Sequence, residues 1–289
     1  MTVSTDAKPL NSRVGSGTHV RIVTKYAFLN YFRARRFYVM LSIVVLMSGL
    51  LTVAVGYFRP AFFGFPQSGM NVPIDQSRLI FYSVWWAGFV NFVVIMSAAF
   101  FGGDAISGEY QNRTGYFLLP NPLRRSAVYV GKYIAALIAS TLMLATFALI
   151  ALANGLYHFG PSVPIEFAQS VFYAWFYLVA AMSLTFLFSS AFRSSAISVL
   201  MTVILLLFVF NIVDLVVGTV AAVEPWFSIT YAEGIVGSVL SSASSTGGPG
   251  AMFTPRFSAT VPEGLAIMAV YFAITGILGL VLFERKGFN

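Results

Sequence analysis

Long runs of apolar residues dominate the pattern of hydrophobic and polar positions in this chain of 289 residues. Each run holds about 20 residues or more, the length that an α-helix needs to cross the hydrocarbon core of a bilayer. Within lipid, a helix satisfies its backbone hydrogen bonds internally. The pattern therefore predicts an all-α polytopic membrane protein with six transmembrane helices, at residues 37–58, 79–101, 127–156, 167–191, 194–220 and 265–283.

The chain before the first run has two parts. Residues 1–18 are polar and rich in Ser, Thr and Gly, so we expect a disordered tail. In residues 19–36, apolar side chains recur at helical spacing: Val20, Val23, Ala27 and Tyr31. Basic side chains lie mostly on the other faces: Arg21, Lys25, Arg35 and Arg36. This pattern predicts an amphipathic helix in the membrane interface, where it could serve simply as an anchor.

The longest connection, residues 221–261, joins the fifth and sixth runs. Its residues 226–240 are too few and too polar to span a bilayer, yet apolar enough to enter the interface. We therefore expect a re-entrant or surface helical segment here. The alternative is a surface loop that rests on the lipid.

Composition and charge agree with a membrane protein and indicate its orientation. The chain is 58% hydrophobic and 9% charged, with a net charge of +7. The basic residues flank the apolar runs instead of clustering with stacking aromatics, which argues against a nucleic-acid partner. If both termini are cytosolic, only Arg59, Arg78 and Arg256 of the 17 Lys and Arg residues lie outside. The positive-inside rule therefore predicts a multi-pass protein of the cell membrane with both termini in the cytosol.

The sequence carries no recognisable catalytic chemistry. It has no G-x-x-x-x-G-K-[ST] motif, no HExxH motif and no Cys, and its two histidines, His19 and His158, fall on opposite sides of the predicted membrane. We therefore expect no catalytic residue, no metal site and no cofactor in this chain. One carboxylate, Asp214, falls inside a predicted span, three residues after Asn211. Such groups are costly in lipid and usually face a bundle interior, so both residues are candidates to line a pathway.

The connection at residues 102–126 holds a large share of the few charges in the chain: Asp104, Glu109, Arg113, Arg124 and Arg125. Residues 110–119 could form a short helix on the membrane surface, which Pro120 and Pro122 would end. The predicted topology places this connection in the cytosol. A plain cytosolic loop made basic by the insertion rules would share these features.

The order of residues in this connection resembles the signature of the type-2 ATP-binding-cassette (ABC) exporter permeases. The matching positions are Glu109, Thr114-Gly115, Leu118-Leu119-Pro120, Arg124-Arg125 and Gly131-Lys132. The resemblance implies that the connection is a coupling loop that docks into a partner ATPase. Its interface residues would be Glu109, Tyr110, Arg113, Thr114, Leu118, Pro120, Arg124, Arg125 and Lys132. It also implies that residues 19–36 form a connecting helix and that 221–261 form an external gate, with Trp226 and Glu233.

The function that follows from this resemblance is that of a permease subunit in an ABC exporter. A second permease subunit, identical or related, would complete the translocation pathway. Separate ATPase subunits would bind ATP and Mg and drive transport, so this chain would not itself be an enzyme. Two alternatives remain: a secondary transporter that uses Asp214 for ion coupling, and a membrane scaffold that transports nothing.

Overall fold

The computed structural model describes residues 16–57, 74–112, 125–241 and 257–285. Residues 1–15 of the expected tail lie outside these ranges. So do five of the residues expected in the coupling loop: Arg113, Thr114, Leu118, Pro120 and Arg124. Throughout the described ranges the chain is helical and contains no strand, as the sequence predicts.

Among the described residues, six long apolar helices are long enough to cross a membrane and confirm the predicted number of candidate spans. An N-terminal helix, Ser16–Arg33, precedes them. Spans 1, 3, 4 and 6 are Arg35–Tyr57, Arg125–Phe159, Ile165–Ala191 and Val261–Arg285. Span 2 consists of Ile74–Tyr82, a π-helical turn at Ser83–Ala87, and Gly88–Gly102. Span 5 consists of Ser195–Val203, Ile204–Val209, Phe210–Val216 and Val217–Ala221, of which the second and fourth pieces are π-helical. In the described parts of the connections, three short helices lie between spans: Ser107–Gln111, Ile229–Glu233 and Ile235–Ser241.

Several helices extend past the apolar runs into polar sequence. Span 2 begins at Ile74, five residues before the predicted boundary. Asp75 lies in its first turn, where a carboxylate favours the helix dipole, and accepts a hydrogen bond of 3.0 Å from Arg78. The Arg78 guanidinium also donates to the carbonyl of Phe159, at 2.6 Å, and so ties the start of span 2 to the end of span 3.

Span 4 lies at the centre of the bundle. In the most apolar stretch of 18 residues in span 4, 56% of the residues are buried. The corresponding stretches of spans 5 and 6 are each 17% buried. Trp86 of span 2 stacks on Phe147 of span 3 and donates a hydrogen bond of 2.9 Å to Ser170 of span 4. Ser170 in turn donates to the carbonyl of Val236, at 2.6 Å. A chain of buried contacts thus joins spans 2, 3 and 4 to the short helix Ile235–Ser241.

The N-terminal helix packs its apolar face on the first turns of span 3. A Cβ at Gly131 would lie 2.8 Å from the side chain of Val23, so Val23 packs directly on the backbone of span 3 at this glycine. Thr24 donates to the carbonyl of Gly131, at 3.1 Å. Tyr31 donates to the carbonyl of Phe101, at 2.9 Å, and burial raises the pKa of Tyr31 well above its usual range, so the phenol stays neutral. The face predicted from the sequence is therefore covered by protein.

Alternate spans run in opposite directions, which gives the bundle two ends. We call one the basic end: spans 1, 3 and 5 begin there, spans 2, 4 and 6 finish there, and the N-terminal helix joins it. The opposite end carries the short helices Ile229–Glu233 and Ile235–Ser241. Each end holds one of the two candidate sites.

Candidate functional site

The first site is the turn that follows span 2 at the basic end, residues 103–111, which ends in the short helix Ser107–Gln111. The first N–H groups of a helix have no partner within the helix. Here the buried hydroxyl of Ser189, near the end of span 4, accepts from the backbone N–H of Ile106 at 3.0 Å and of Ser107 at 3.1 Å. The beginning of the short helix is thus fixed to span 4.

Two ion pairs hold the same turn from the sides. The ammonium of Lys132, in span 3, pairs with the carboxylate of Glu109 and donates to the carbonyl of Ala105 at 2.6 Å. Both charged side chains of this pair are only 16% exposed. The guanidinium of Arg36, at the start of span 1, pairs with Asp104, whose side chain is 17% exposed. Because these carboxylates are largely removed from water, each needs its cation to offset the cost of desolvation.

Two further contacts extend this arrangement to spans 5 and 6. The side-chain carbonyl of Gln111 accepts from the backbone N–H of Ser195, the first residue of span 5, at 2.9 Å. Arg125, at the start of span 3, donates to the carbonyl of Glu284 near the end of span 6, at 3.0 Å. The turn therefore has direct contacts with spans 1, 3, 4 and 5.

The second site lies at the opposite end, where the short helix Ile229–Glu233 packs beside the last turns of span 5 and the start of span 6. Thr230 donates a hydrogen bond to one carboxylate oxygen of Asp214, and the other oxygen is buried without a partner among the described residues. Tyr271 of span 6 donates to the carbonyl of Phe227, at 2.6 Å. Ser228 caps the short helix by accepting from the N–H of Tyr231.

Polar side chains continue from this site into the bundle. Tyr177 of span 4 donates to the amide oxygen of Asn91 in span 2, at 2.8 Å. Glu233 is partly buried at the end of the short helix, and this burial raises its pKa to about 8. At neutral pH the Glu233 carboxyl is therefore mostly protonated and can donate as well as accept a hydrogen bond.

Comparison with known families decides the identity of the chain. The sequence model of the family described as ABC-2 family transporter protein matches residues 21–288. The chain belongs to this family. The family resemblance noted from residues 109–132 is thereby confirmed, and the match covers nearly the whole chain. A comparison with curated proteins gives no match.

Family membership indicates which activities of the transporter lie in this chain and which lie in partner subunits. The ABC-2 permeases are the membrane components of ABC transporters; their ATPase activity lies in separate subunits, and they bind no cofactor themselves. A partner ABC ATPase is therefore implied. Among the residues that the structure describes, no group of His, Asp and Glu side chains could hold a metal ion.

The structure brings together some of the predicted coupling residues of the permease. Glu109 pairs with Lys132, and Tyr110 lies on the same short helix with its ring partly buried. Arg125 contacts span 6 instead of the turn. Of the expected short helix at residues 110–119, only the first three residues are described, and the helix there begins earlier, at Ser107. The helix expected at residues 19–36 ends at Arg33, and Arg35 and Arg36 instead begin span 1. Arg36 joins the turn, while three predicted residues are exposed without an ion pair to any described residue: Arg21, Lys25 and Arg35.

At the opposite end the predicted residues lie apart from one another. Asn211 donates to the carbonyls of Leu206, at 3.1 Å, and Leu207, at 3.0 Å, within its own span, and is exposed. Asp214 contacts the short helix instead of Asn211. Trp226 is 69% exposed and Glu233 is partly buried.

Sequence reasoning missed several residues that shape the two sites: Asp104 as the partner of Arg36, Ser189 as the acceptor for the turn, Gln111, and Thr230 as the donor to Asp214. Asp104 carried a signal, since it is one of few charges beside an apolar run. Serine and threonine are common in these spans, so nothing in the sequence marks Ser189 or Thr230.

Proposed function

We propose that this chain is the permease subunit of an ABC exporter. With a second permease subunit, identical or related, it would form the translocation pathway, and separate ATPase subunits that bind ATP and Mg would drive transport. The observation that supports this proposal most is the turn at residues 103–111, which contacts four spans through named side chains. A partner that moves this turn therefore moves spans 1, 3, 4 and 5 with it.

In this proposal Glu109 is a positioning residue and does not itself touch the ATPase. Its carboxylate is paired within the chain and only 16% exposed, so it has little surface to offer a partner. The exposed basic residues of the N-terminal helix, Arg21 and Lys25, and the segment that continues from Asn112 would supply the contacts. Basic side chains favour an acidic surface on the ATPase.

We propose that the basic end faces the cytosol. By their position in the sequence relative to the six spans, only Arg59, Arg78 and Arg256 of the 17 basic residues would lie outside in this orientation. The N-terminal helix would then be the connecting helix, and the short helices Ile229–Glu233 and Ile235–Ser241 would form the external gate, with Trp226 at its exposed edge.

Association with the ATPase can be tested directly. The full-length permease, purified in mild detergent with an affinity tag, should carry with it a subunit that contains a P-loop. Lys132→Gln should weaken this association or raise ATP hydrolysis without transport, because the turn is no longer held by span 3. Asp75→Asn, which removes an 83% exposed carboxylate paired with Arg78 at the opposite end, is the matched control. If the permease stays folded but no ATPase subunit elutes with it, the proposal is contradicted.

We further propose that Asp214 lines the outer part of the pathway, below the gate. A carboxylate deep in a span costs roughly 2.5–3.5 kcal/mol, so water or a polar partner must reach it. Because the chain contains no Cys, a cysteine introduced at position 214 is a clean probe of access.

A charged, water-soluble thiol reagent should label Asp214→Cys in membranes. The extent of labelling should change when vanadate traps the partner ATPase in one state of its cycle. Leu215→Cys, the adjacent residue with 63% exposure on the apolar surface, should stay unlabelled because it faces lipid. Equal labelling of both variants in every state would exclude a pathway role for Asp214.

A further inference from the structure

An apolar groove runs along the outer surface of span 1. Its volume is about 560 Å³, within the range of about 300–1,000 Å³ that ligand sites occupy. Its lining is apolar except for two hydroxyls: Tyr38, Val39, Ser42, Ile43, Leu46, Met47, Leu50 and Phe92. Phe92 of span 2 forms the far wall, and Val39, Leu46 and Leu50 are at least half exposed.

The guanidinium of Arg35 lies on the same face of span 1 as this groove. Arg35, the first residue of span 1, precedes Val39 by one helical turn and Leu46 by three, so all three lie on one face of the helix. Arg35 is exposed and forms no ion pair with any residue that the structure describes. Its neighbour Arg36 points elsewhere, to Asp104.

The length of the groove matches one leaflet of a bilayer. Eleven residues separate Val39 from Leu50, which is about 16 Å at a rise of about 1.5 Å per residue. Half of a hydrocarbon core of about 30 Å is about 15 Å. Arg35 lies one turn beyond the Val39 end, about 6 Å further, where the headgroups of that leaflet begin.

We propose that this groove binds an anionic phospholipid, with an acyl chain along Val39, Leu46 and Leu50 and the phosphate on the guanidinium of Arg35. Charge complementarity favours this occupant: a guanidinium presents paired donors that match a phosphate, and an apolar groove without charge suits a chain of methylene groups. The inference goes beyond the proposed transport function and does not depend on it.

The test uses the full-length permease purified in detergent and native mass spectrometry. The two probes are phosphatidylglycerol and phosphatidylcholine with identical acyl chains. Phosphatidylglycerol should be retained in preference, and Arg35→Gln should reduce this preference about fivefold, the contribution of one basic residue at an anionic surface. Arg35→Lys should keep most of the preference. Arg21→Gln, which removes another exposed and unpaired charge away from the groove, should leave it unchanged.

A second set of variants tests the apolar part of the groove. Leu46→Trp fills the space and should reduce retention of both lipids, whereas Leu149→Trp, at an equally exposed site on span 3, should not. Equal retention of the two lipids by the wild type, or an unchanged preference in Arg35→Gln, would overturn the headgroup assignment.

The competing occupant is a second copy of the chain. Because the chain has no Cys, Leu46→Cys can form a disulfide only between two copies. Efficient oxidative cross-linking of this variant in vesicles would show that another copy covers the groove, and would overturn the proposal.

Discussion

At the residue scale, Glu109 and Lys132 form the more buried of the two ion pairs that hold the turn at residues 103–111. Both side chains are 16% exposed, so each charge depends on the other, and on the carbonyl of Ala105, for its stabilisation. The pair between Arg36 and Asp104 differs, because its cation is 57% exposed and remains in contact with water. Removing one member of the more buried pair should therefore cost more stability.

Lys132→Met should lower the free energy of unfolding by about 1.5–3 kcal/mol, because it leaves the Glu109 carboxylate partly buried without a cation. Arg36→Gln should cost less, about 1–2 kcal/mol: its own guanidinium is 57% exposed, but Asp104, only 17% exposed, loses its cation. Thermal melting in detergent measures both. The double variant Glu109→Gln with Lys132→Met should be more stable than Lys132→Met alone. If its loss of stability equals the sum of the losses in Glu109→Gln and Lys132→Met measured singly, the two residues do not interact.

The raised pKa of Glu233 predicts a dependence of stability on pH. Its pKa rises from 4.5 in the unfolded chain to about 8 in the fold because of burial. The folded state therefore holds a proton that the unfolded state releases, so stability falls as the pH rises from about 4.5 to about 8 and then stays level. Glu233→Gln removes this titration. Relative to that variant, the wild type should lose on the order of 2 kcal/mol between about pH 5 and about pH 9, a value reduced from the full shift because the side chain is only partly buried.

Melting curves of the wild type and Glu233→Gln across that range provide the measurement. If the difference in stability between the wild type and Glu233→Gln does not change with pH, the Glu233 carboxyl is ionised in the folded protein.

The residue-scale features could be predicted from sequence only in part. Glu109 and Lys132 were both expected at the interface with the ATPase, but their pairing was not predicted, because 23 residues separate them and only helix packing brings them together. Arg36 and Asp104 are 68 residues apart. Asn211 and Asp214 both lie in the α-helical piece Phe210–Val216, so the expected spacing between them holds. The side chain of Asn211 nevertheless donates to carbonyls of its own span, which no pattern of apolar residues reveals.

At the scale of elements, close helix contacts depend on a few glycines. Gly131 allows the N-terminal helix to pack directly on span 3, with Val23 against the glycine backbone. A Cβ at Gly264 would lie 2.4 Å from Ile235, so the short helix Ile235–Ser241 similarly packs against the first turn of span 6. Both contacts join an element outside the membrane spans to the bundle. They are therefore the points where an added side chain would separate a peripheral element from the spans.

Gly131→Leu should detach the N-terminal helix, since Val23 and the carbonyl of Val20 leave no room for a side chain. We expect a loss of about 1–3 kcal/mol and faster proteolysis near the N-terminal helix. Gly49→Ala in span 1 is the control: nothing lies within 4 Å of its built Cβ, so it should be neutral or stabilise the helix by up to about 1 kcal/mol. Equal melting and equal proteolysis of Gly131→Leu and wild type would refute a tight contact at this position.

The spans were predicted well because an apolar run must be long enough to cross the hydrocarbon core of the bilayer. All six spans overlap the predicted runs, and the differences lie at the ends, where polar residues such as Asp75 and Arg78 continue a helix beyond the apolar segment. Residues 226–240 were expected to re-enter the membrane or lie on its surface. The segment contains two short helices whose apolar side chains are buried against spans 4 and 6. The apolar residues of this segment therefore pack on other helices of the same chain.

At the scale of the whole molecule, the bundle is strongly asymmetric. Spans 2 and 4 are 50% and 56% buried in their apolar windows, whereas spans 1, 5 and 6 are 28%, 17% and 17% buried. In a membrane the exposed apolar faces are covered by lipid or by another subunit. A second permease subunit would therefore meet this chain on the side of spans 1, 5 or 6, and the proposed phospholipid on span 1 would occupy part of that surface.

The orientation of the whole molecule is the prediction that links the two ends to their roles. The basic end should face the cytosol, because translocating nearly all of the 17 basic residues would oppose the positive-inside rule. Single cysteines in this cysteine-free chain can report the side of each end. Val223→Cys, 54% exposed at the opposite end, should react with an impermeant thiol reagent in intact cells. Asn112→Cys, exposed at the basic end, should react only after the membrane is permeabilised. The reverse pattern, with Asn112→Cys labelled in intact cells, would place the turn at residues 103–111 away from any cytosolic ATPase and would rule out its role in coupling.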